Sequence, residues 1–165
     1  MKPLHTPDYA RFATPLGPML AAATDQGLCG LWFDGQRHQP DMAAWRLAPE
    51  HPLLTQTASF TAAYFAGGTA PFNLPLDLAG GTPFQQAVWR ALLQIPRGAT
   101  TSYGALSQSL GRPSAVRAVA GAVGRNPVSV VVPCHRVLGM DGSLTGYAGG
   151  LERKTALLQL EGVLI

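Results

Sequence analysis

The chain has 165 residues, 47% of them hydrophobic and only 13% charged, a balance that excludes a disordered protein. Its two cysteines and four histidines show no metal-ligand spacing, so we expect no metal site. The sequence contains no secretory signal and no apolar run near the roughly 20 residues of a membrane span. We therefore expect a cytoplasmic protein, associated with the nucleoid if it binds DNA, without membrane contact.

The net charge of +3 is unevenly distributed. Residues 1–81 carry four basic and six acidic side chains, whereas residues 82–165 carry eight basic and three acidic ones. The second half is therefore the candidate for binding a polyanion. A solvated basic surface explains the same charge balance, so charge alone does not distinguish it from a polyanion-binding surface.

The first half of the chain predicts a small α/β domain. Residues 9–33 alternate apolar runs with turn signals, which indicates a three-stranded β-meander. Residues 34–50 predict an irregular connection with a short helix near Trp45. Helical spacing of apolar residues predicts a helix over 53–65, and alternation predicts an edge strand over 72–78. Nothing in this half indicates chemistry.

The pattern changes to helices at Thr82, which predicts two domains, 1–80 and 81–165. Thr82 stands three residues before Gln85, the spacing of a capping box at the start of a helix. The second domain is therefore predicted to be mostly helical.

Two short helices joined by a tight turn predict a helix-turn-helix. Ser102 caps the first helix and Gly111 closes it, and residues 114–123 form the second. The second helix consists almost wholly of small residues, which allows close approach to a DNA groove or to a protein core. The arginines along this segment favour DNA: Arg112, Arg117 and Arg125.

A valine run at 130–132 predicts a buried strand that stops at Pro133 and delivers Cys134 at its end. His135 and Arg136 follow directly, and these residue types favour a thiolate, the nucleophilic form of cysteine. Neighbours on an extended chain point apart, so a water between Cys134 and His135 is as good an expectation as direct contact. A buried, inert cysteine is the alternative.

The last segment predicts a wing and a final helix. Residues 137–144 contain an Asp-Gly turn and predict a β-hairpin, the position of a wing after a helix-turn-helix. The final helix, from residue 151 to 161, is predicted to dock through Leu151, Leu157, Leu158 and Leu160. Glu161 faces the negative end of the helix dipole, so we expect a compensating partner such as a histidine.

Residues 82–162 resemble the O6-alkylguanine-DNA alkyltransferases (methylated-DNA–protein-cysteine methyltransferases). The matching residues come in one order along the chain: Phe84-Gln85, Val88-Trp89, Ile95-Pro96, Gly98, Ser102-Tyr103, Arg117-Ala118-Val119, Asn126-Pro127, Pro133-Cys134-His135-Arg136-Val137, Thr145-Gly146-Tyr147, Gly149-Gly150 and Leu160-Glu161. The resemblance implies an α/β N-terminal ribonuclease-H-like domain followed by a mostly α winged helix-turn-helix domain. The first half fits that family only in length and coarse pattern.

The resemblance also implies the activity. The alkyl group of O6-alkylguanine, and also of O4-alkylthymine, in double-stranded DNA passes to Cys134 in one irreversible turnover without a cofactor. His135 takes the thiol proton through a water, and Glu161 orients the imidazole. The protein is expected to act as a monomer, with cooperative binding along DNA as an alternative.

Chemistry on a base inside a duplex requires the nucleotide to be flipped out. By the same resemblance, Arg117 fills the gap, Tyr103 rotates the phosphate and donates a proton to guanine N3, and Asn126 braces the neighbouring turn. Further residues are implied at the DNA surface (Arg112, Ala118, Arg125) and around the pocket (Val123, Ser129, Val137, Tyr147, Ala148). The backbone N–H of Ala148 is expected to reach O6, and the small Ser129 suggests room for alkyl groups larger than methyl.

Three other classes compete with this interpretation. A non-enzymatic lesion-binding protein of the same fold lacks the reactive cysteine, so Cys134 argues against it. A winged-helix regulator would use residues 133–137 only as core. A cysteine hydrolase would use Cys134, His135 and Glu161, but the basic helix-turn-helix would then have no function in the reaction.

Overall fold

The computed structural model describes residues 6–164, and the chain divides into two compact units with the boundary between Gly80 and Gly81. Within the described residues, no helix combines the length and apolar character needed to cross a bilayer. The same residues contain no group of three or more His, Cys, Asp or Glu side chains that could hold a metal ion.

A four-stranded sheet forms the first unit, in the order β3-β2-β1-β4. Its strands are β1 (Asp8–Phe12), β2 (Met19–Thr24), β3 (Gly27–Phe33) and β4 (Arg46–Leu47). The first three pair antiparallel in sequence order, so the predicted meander is confirmed. Every residue from Met19 to Ala23 is at most 2% exposed, because the central strand is covered on both faces.

The faces of the sheet are covered by different parts of the chain. Helix α1 (Pro52–Phe65) packs against one face, close to the predicted range of 53–65. The short helix predicted near Trp45 is wrong. The ring of Trp45 instead packs 5.9 Å from that of Trp32, and the chain continues directly into β4, which pairs parallel with β1.

The predicted edge strand at 72–78 is reduced to one parallel bridge between Leu28 and Leu76. The N–H of Leu28 donates to the carbonyl of Pro75 at 2.8 Å, and the N–H of Asp77 donates to the carbonyl of Leu28 at 2.8 Å. Prolines at 71 and 75 lack a donor, which limits further pairing.

The second unit is built on helices α2 (Pro83–Leu92), α3 (Tyr103–Ser109), α4 (Val116–Gly124) and α5 (Leu151–Leu160). The predicted capping box is confirmed, since Gln85 N–H donates to Thr82 Oγ1 at 3.1 Å and Thr82 N–H donates to Gln85 Oε1 at 3.0 Å. The Ser102 cap is also confirmed by the bond from Ala105 N–H at 3.0 Å. Helix α2 packs on α4, where Trp89 Nε1 donates to the Ala122 carbonyl at 2.8 Å.

The strand predicted over the valines at 130–132 is wrong. Val130 has a φ of +73°, and successive short-range bonds, such as Val132 N–H to Val128 O at 2.9 Å, fold the run into turns. Val130 and Val132 are buried without a partner strand, at most 4% exposed, and Val131 between them is partly exposed. Cys134 therefore begins a 3-10 helix, Cys134–Arg136, rather than ending a strand.

The predicted hairpin over 137–144 is also wrong. Strand β6 (Val137–Leu138) pairs parallel with β5 (Thr101–Ser102) and not with the residues that follow it. The Asp-Gly turn itself is present, closed by the bond from Gly139 N–H to Ser143 O at 2.9 Å.

Helix α5 docks differently from the prediction. Leu157 and Leu158 are fully buried, but Leu151 is 49% exposed at the start of the helix. In the first turns of α5 the buried residue is instead Lys154, which is 0% exposed. Its spacing of three and four residues from the two buried leucines places it on the same helix face.

Candidate active site around Cys134

The thiol of Cys134 lies in the interior of the second unit, with the residue 5% exposed. Burial raises the pKa of this thiol, and a hydrogen bond with the Asn126 side chain opposes that rise only in part. The prediction that its neighbours favour a thiolate is therefore wrong for the free protein. The guanidinium of Arg136 is directed to Glu161 instead.

Asn126 holds the turn that leads to the cysteine. Its Nδ2 donates to the carbonyl of Val132 at 2.7 Å, and its Oδ1 accepts from the N–H of Val128 at 2.9 Å. The residue is 4% exposed, so these bonds satisfy groups that water does not reach. The side chain thus supports the irregular backbone between α4 and Cys134.

His135 and Glu161 form a buried pair. His135 Nε2 lies 2.9 Å from Glu161 Oε2, and neither side chain has any exposed surface. Arg136 binds the same carboxylate through two bonds of 2.8 Å, from Nε to Oε1 and from Nη2 to Oε2. The glutamate at the end of α5 therefore has the expected histidine as a hydrogen-bond partner, and an arginine supplies the compensating charge.

The imidazole is neutral at rest. Burial lowers the pKa of His135, although hydrogen bonding to Glu161 raises it in part. An ionised carboxylate at Nε2 can only accept, so the single proton of the neutral ring lies on Nε2. Nδ1 is then an acceptor, and among residues 6–164 this buried atom has no hydrogen-bond partner.

Lys154 anchors the loop opposite the cysteine. Its Nζ donates to the carbonyl oxygens of Val137 at 2.6 Å, Thr145 at 2.9 Å and Gly146 at 3.4 Å. Burial lowers the pKa of this amine to about 8, and the charge of a Cys134 thiolate would raise it. A cation in this position also lowers the pKa of Cys134.

Tyr103 reaches the same loop from the start of α3. Its hydroxyl lies 3.0 Å from the carbonyl oxygen of Thr145 and 3.1 Å from that of Gly146, so it donates to this carbonyl pair. Lys154 Nζ stands 5.9 Å from the centre of the phenol ring. Burial, and then the charge of Cys134, raises the pKa of Tyr103.

The other predicted residues fall into two groups. Three of the pocket residues are buried (Val123, Ser129, Val137), and two are partly exposed (Tyr147, Ala148). The DNA-surface residues are exposed: Arg112, Arg117, Ala118 and Arg125. Of these, Arg112 lies over the Phe84 ring at 5.4 Å, and Arg125 Nη1 donates to the Gly121 carbonyl at 3.3 Å.

Sequence reasoning did not assign Lys154 to the site, and it placed Arg136 beside the thiol of Cys134 instead of the carboxylate of Glu161. The signal for Lys154 was available, because a lysine three and four residues before two buried leucines shares their face. Arg136 gave no such signal, since its sequence position beside Cys134 suggested the wrong partner.

Two family models match this chain. The ribonuclease-like domain of 6-O-methylguanine DNA methyltransferase matches residues 8–78, and the DNA-binding domain of the same family matches residues 83–163. The fold is thus a two-domain architecture with the buried cysteine in the DNA-binding domain. The chain belongs to the 6-O-methylguanine DNA methyltransferase family.

Relatives similar over almost the whole chain carry the name methylated-DNA–protein-cysteine methyltransferase. The protein of Mycobacterium leprae is 46% identical over 90% of this chain and 88% of its own length. That of Methanosarcina acetivorans is 42% identical over 93% of this chain and 97% of its own. A crystal structure of Mycobacterium tuberculosis OGT in complex with DNA superposes with a TM-score of 0.86 at 44% identity, covering 93% of this chain and 92% of that one.

Proposed function

We propose that this protein repairs double-stranded DNA by transferring the alkyl group from O6 of guanine, and from O4 of thymine, to Cys134 in one turnover. The observation that carries this proposal is a buried cysteine followed directly by a histidine whose Nε2 lies 2.9 Å from a buried carboxylate. Residues 81–165 carry the reaction, and residues 1–80 support them.

Before activation, the thiol of Cys134 and the imidazole of His135 are both neutral. The raised pKa keeps Cys134 protonated at rest, so a base has to accept its proton during transfer. His135 presents Nδ1 as the acceptor, and a bridging water carries the proton to it. Glu161 then stabilises the imidazolium that forms. Lys154 stabilises the thiolate from the other side.

The transfer itself is a displacement at the alkyl carbon. The sulfur–carbon bond forms as the carbon–O6 bond breaks, and the bonding pair leaves with the guanine. Tyr103 donates a proton to N3 of that guanine, and the phenolate regains it from solvent while His135 releases the thiol proton. A thioether is a poor leaving group, so the protein ends alkylated and the reaction stops after one equivalent.

DNA binding is assigned to the winged helix-turn-helix formed by α3, α4 and the turn after β6. Helix α4 enters a groove with its small exposed side chains, among them Ala118. Arg117 fills the gap left by the flipped nucleotide, with Arg112 and Arg125 on the phosphates. Tyr103 has to leave the carbonyls of residues 145 and 146 before it can reach the DNA.

The flipped base is proposed to lie between the active-site turn and the loop before α5. Val123, Val137 and Tyr147 supply apolar walls, and the N–H of Ala148 donates to O6. Ser129 adds little bulk, which favours alkyl groups larger than methyl. The reaction needs no cofactor, and a monomer suffices because every proposed residue belongs to one unit.

A direct test weighs the intact protein after incubation with a duplex that contains one O6-methylguanine. We expect a gain of one methyl group on the peptide that holds Cys134, with no further product after one equivalent. Cys134→Ser should abolish transfer and retain DNA binding. Cys29→Ser is the matched control, because this half-buried thiol lies in the first unit. Turnover beyond one equivalent, or methylation of the Cys134→Ser protein, would overturn the proposal.

A non-enzymatic DNA-binding protein is not favoured. The relatives over most of this chain are named as methyltransferases. The buried base and carboxylate beside Cys134 would also serve no purpose in a protein that only binds.

A further inference from the structure

We propose that Arg136 is a positioning residue that keeps Glu161 ionised and oriented, and thereby decides which nitrogen of His135 is open to the thiol proton. The proposal rests on the proposed function, because it assigns a task within alkyl transfer. Arg136 is assigned a role through the carboxylate and none in direct contact with the substrate or the sulfur.

The first support is the geometry of the carboxylate. Both oxygens of Glu161 accept from the guanidinium, Oε1 from Nε and Oε2 from Nη2, each at 2.8 Å. This is the bidentate arrangement that gives arginine pairs their strength and direction. Oε2 also faces His135 Nε2 at 2.9 Å, so the arginine fixes the atom that the imidazole contacts.

The guanidinium is itself held from behind. Its third nitrogen, Nη1, donates to the carbonyl of Ile95 at 2.6 Å, in the connection between α2 and β5. The side chain of Arg136 is only 11% exposed. Arg136 in the 3-10 helix thus binds both the end of α5, through Glu161, and the α2–β5 connection, through Ile95.

The second support is a charge argument. Glu161 is the C-cap of α5, where helix carbonyls point toward it, and its side chain has no exposed surface. Both conditions favour a protonated, neutral carboxyl group. His135 is neutral at rest and does not balance the charge, whereas the permanent cation of Arg136 lies within 2.8 Å of both oxygens.

The consequence concerns the tautomer of His135. An ionised Glu161 accepts from Nε2–H and leaves Nδ1 as a proton acceptor. A protonated Glu161 would donate to Nε2 instead, and the ring proton would then move to Nδ1. In that state the imidazole presents a donor where the base is required. Arg136 therefore selects the reactive tautomer through Glu161.

The test compares Arg136→Gln, Arg136→Lys and a matched control, Arg97→Gln. Arg97 donates to the carbonyl of Leu160 at 3.2 Å, so its loss removes an arginine from the same helix end. Two readouts are measured: the single-turnover rate on a duplex with O6-methylguanine, and the imidazole ¹⁵N shifts of His135, assigned with a His135→Gln protein.

We expect Arg136→Gln to lower the transfer rate about 10- to 100-fold, part of the full contribution of a general base. Its ¹⁵N spectrum should gain the Nδ1–H tautomer. Arg136→Lys keeps the positive charge but loses the bidentate hydrogen bonding, so its transfer rate should lie between those of the wild type and Arg136→Gln. Arg97→Gln should stay within about twofold of the wild-type rate, because it removes a bond to a backbone carbonyl and leaves the Arg136–Glu161–His135 bonds in place. The double variant Arg136→Gln/Glu161→Gln should transfer alkyl groups no more slowly than Glu161→Gln alone, because Arg136 acts through that carboxylate.

A wild-type rate together with an unchanged Nε2–H tautomer in Arg136→Gln would overturn the inference. If Arg136→Gln does not fold, the rate and tautomer of Arg136→Lys decide the question in the same way. If the wild-type protein transfers no alkyl group, the proposed function fails instead, and the ¹⁵N spectra still test the role of Arg136.

Discussion

Asn126 takes the place of a strand partner for Val132. The carboxamide donates to the carbonyl of Val132 at 2.7 Å, while its oxygen accepts from the N–H of Val128 at 2.9 Å. One side chain therefore closes a turn whose backbone includes Val130 at a φ of +73°. Such a conformation is costly for a β-branched residue and persists because the surrounding bonds hold it.

The first prediction follows from this brace. Asn126→Ala leaves two buried backbone groups without partners, so we expect the free energy of unfolding to fall by about 2–4 kcal/mol. Calorimetry of the folded protein measures the loss. Gln86→Ala is the control, because its partly buried side chain also makes two bonds, to the Gly81 carbonyl at 2.8 Å and from Arg90 Nη2 at 3.0 Å. Equal losses in the two variants would contradict the bracing role.

The second prediction separates base flipping from chemistry. Arg117 is exposed on α4, so Arg117→Ala should leave the fold and the Cys134 site intact. We expect the rate on duplex DNA to fall by about tenfold or more, since the unstacking cost of a few kcal/mol loses its compensation. The rate with free O6-methylguanine base should hardly change. Arg90→Ala removes the same charge from an exposed site on α2, and an equal loss there would point to charge alone.

The third prediction concerns pH and the buried lysine. Burial lowers the pKa of Lys154 from 10.5 to about 8, so between these values the folded protein binds fewer protons than the unfolded chain. The free energy of unfolding therefore rises with pH across this window, and the cost of the buried charge is complete only below it. Lys154→Met removes this contribution while retaining the side-chain length.

We expect the stability of the wild-type protein relative to Lys154→Met to increase by up to about 3 kcal/mol as the pH rises through that window. Urea unfolding at a series of pH values measures the difference. Both proteins carry Cys134→Ser in this comparison, because that thiol and Lys154 shift each other's pKa. Titrating groups that do not interact with Lys154 cancel. A difference that is constant with pH would show that Lys154 keeps an ordinary pKa.

The fourth prediction tests a close approach in the first unit. Gly27 has a φ of +148°, and a Cβ there would lie 2.6 Å from the carbonyl oxygen of Pro75. Gly27→Ala adds this backbone clash to the strain of the conformation, so it should cost at least about 1 kcal/mol more than Gly67→Ala. Gly67 has a φ of +95° with no atom within 4 Å of the added carbon. Calorimetry of both variants measures the gap, and equal costs would mean that the bridge at 75–76 yields easily.

Local signals were predicted well because they depend on neighbours in sequence. The capping box of Thr82 and Gln85 needs only the spacing of two residues, and the Ser102 cap needs one hydroxyl before a helix. The meander and α1 followed from apolar periodicity in the same way.

The failures occurred where side-chain hydrogen bonds or packing overrode the local propensity of the backbone. The valines at 130–132 have strand propensity, but the bonds of Asn126 and the burial of their side chains hold them in turns. Trp45 was expected in a helix and instead packs on Trp32 from another strand. Leu151 was expected in the core, yet Lys154 occupies it because three carbonyls accept from its amine.

The sequence by itself determined most of the order of elements in each half, the resemblance to the family and the candidate catalytic residues Cys134, His135 and Glu161. Only the tertiary structure decided how these groups are charged. Adjacency along the chain places Arg136 beside Cys134 but does not set the direction of its side chain. Glu161, brought close by α5, attracts the guanidinium, and burial of the thiol and the imidazole then makes both neutral at rest.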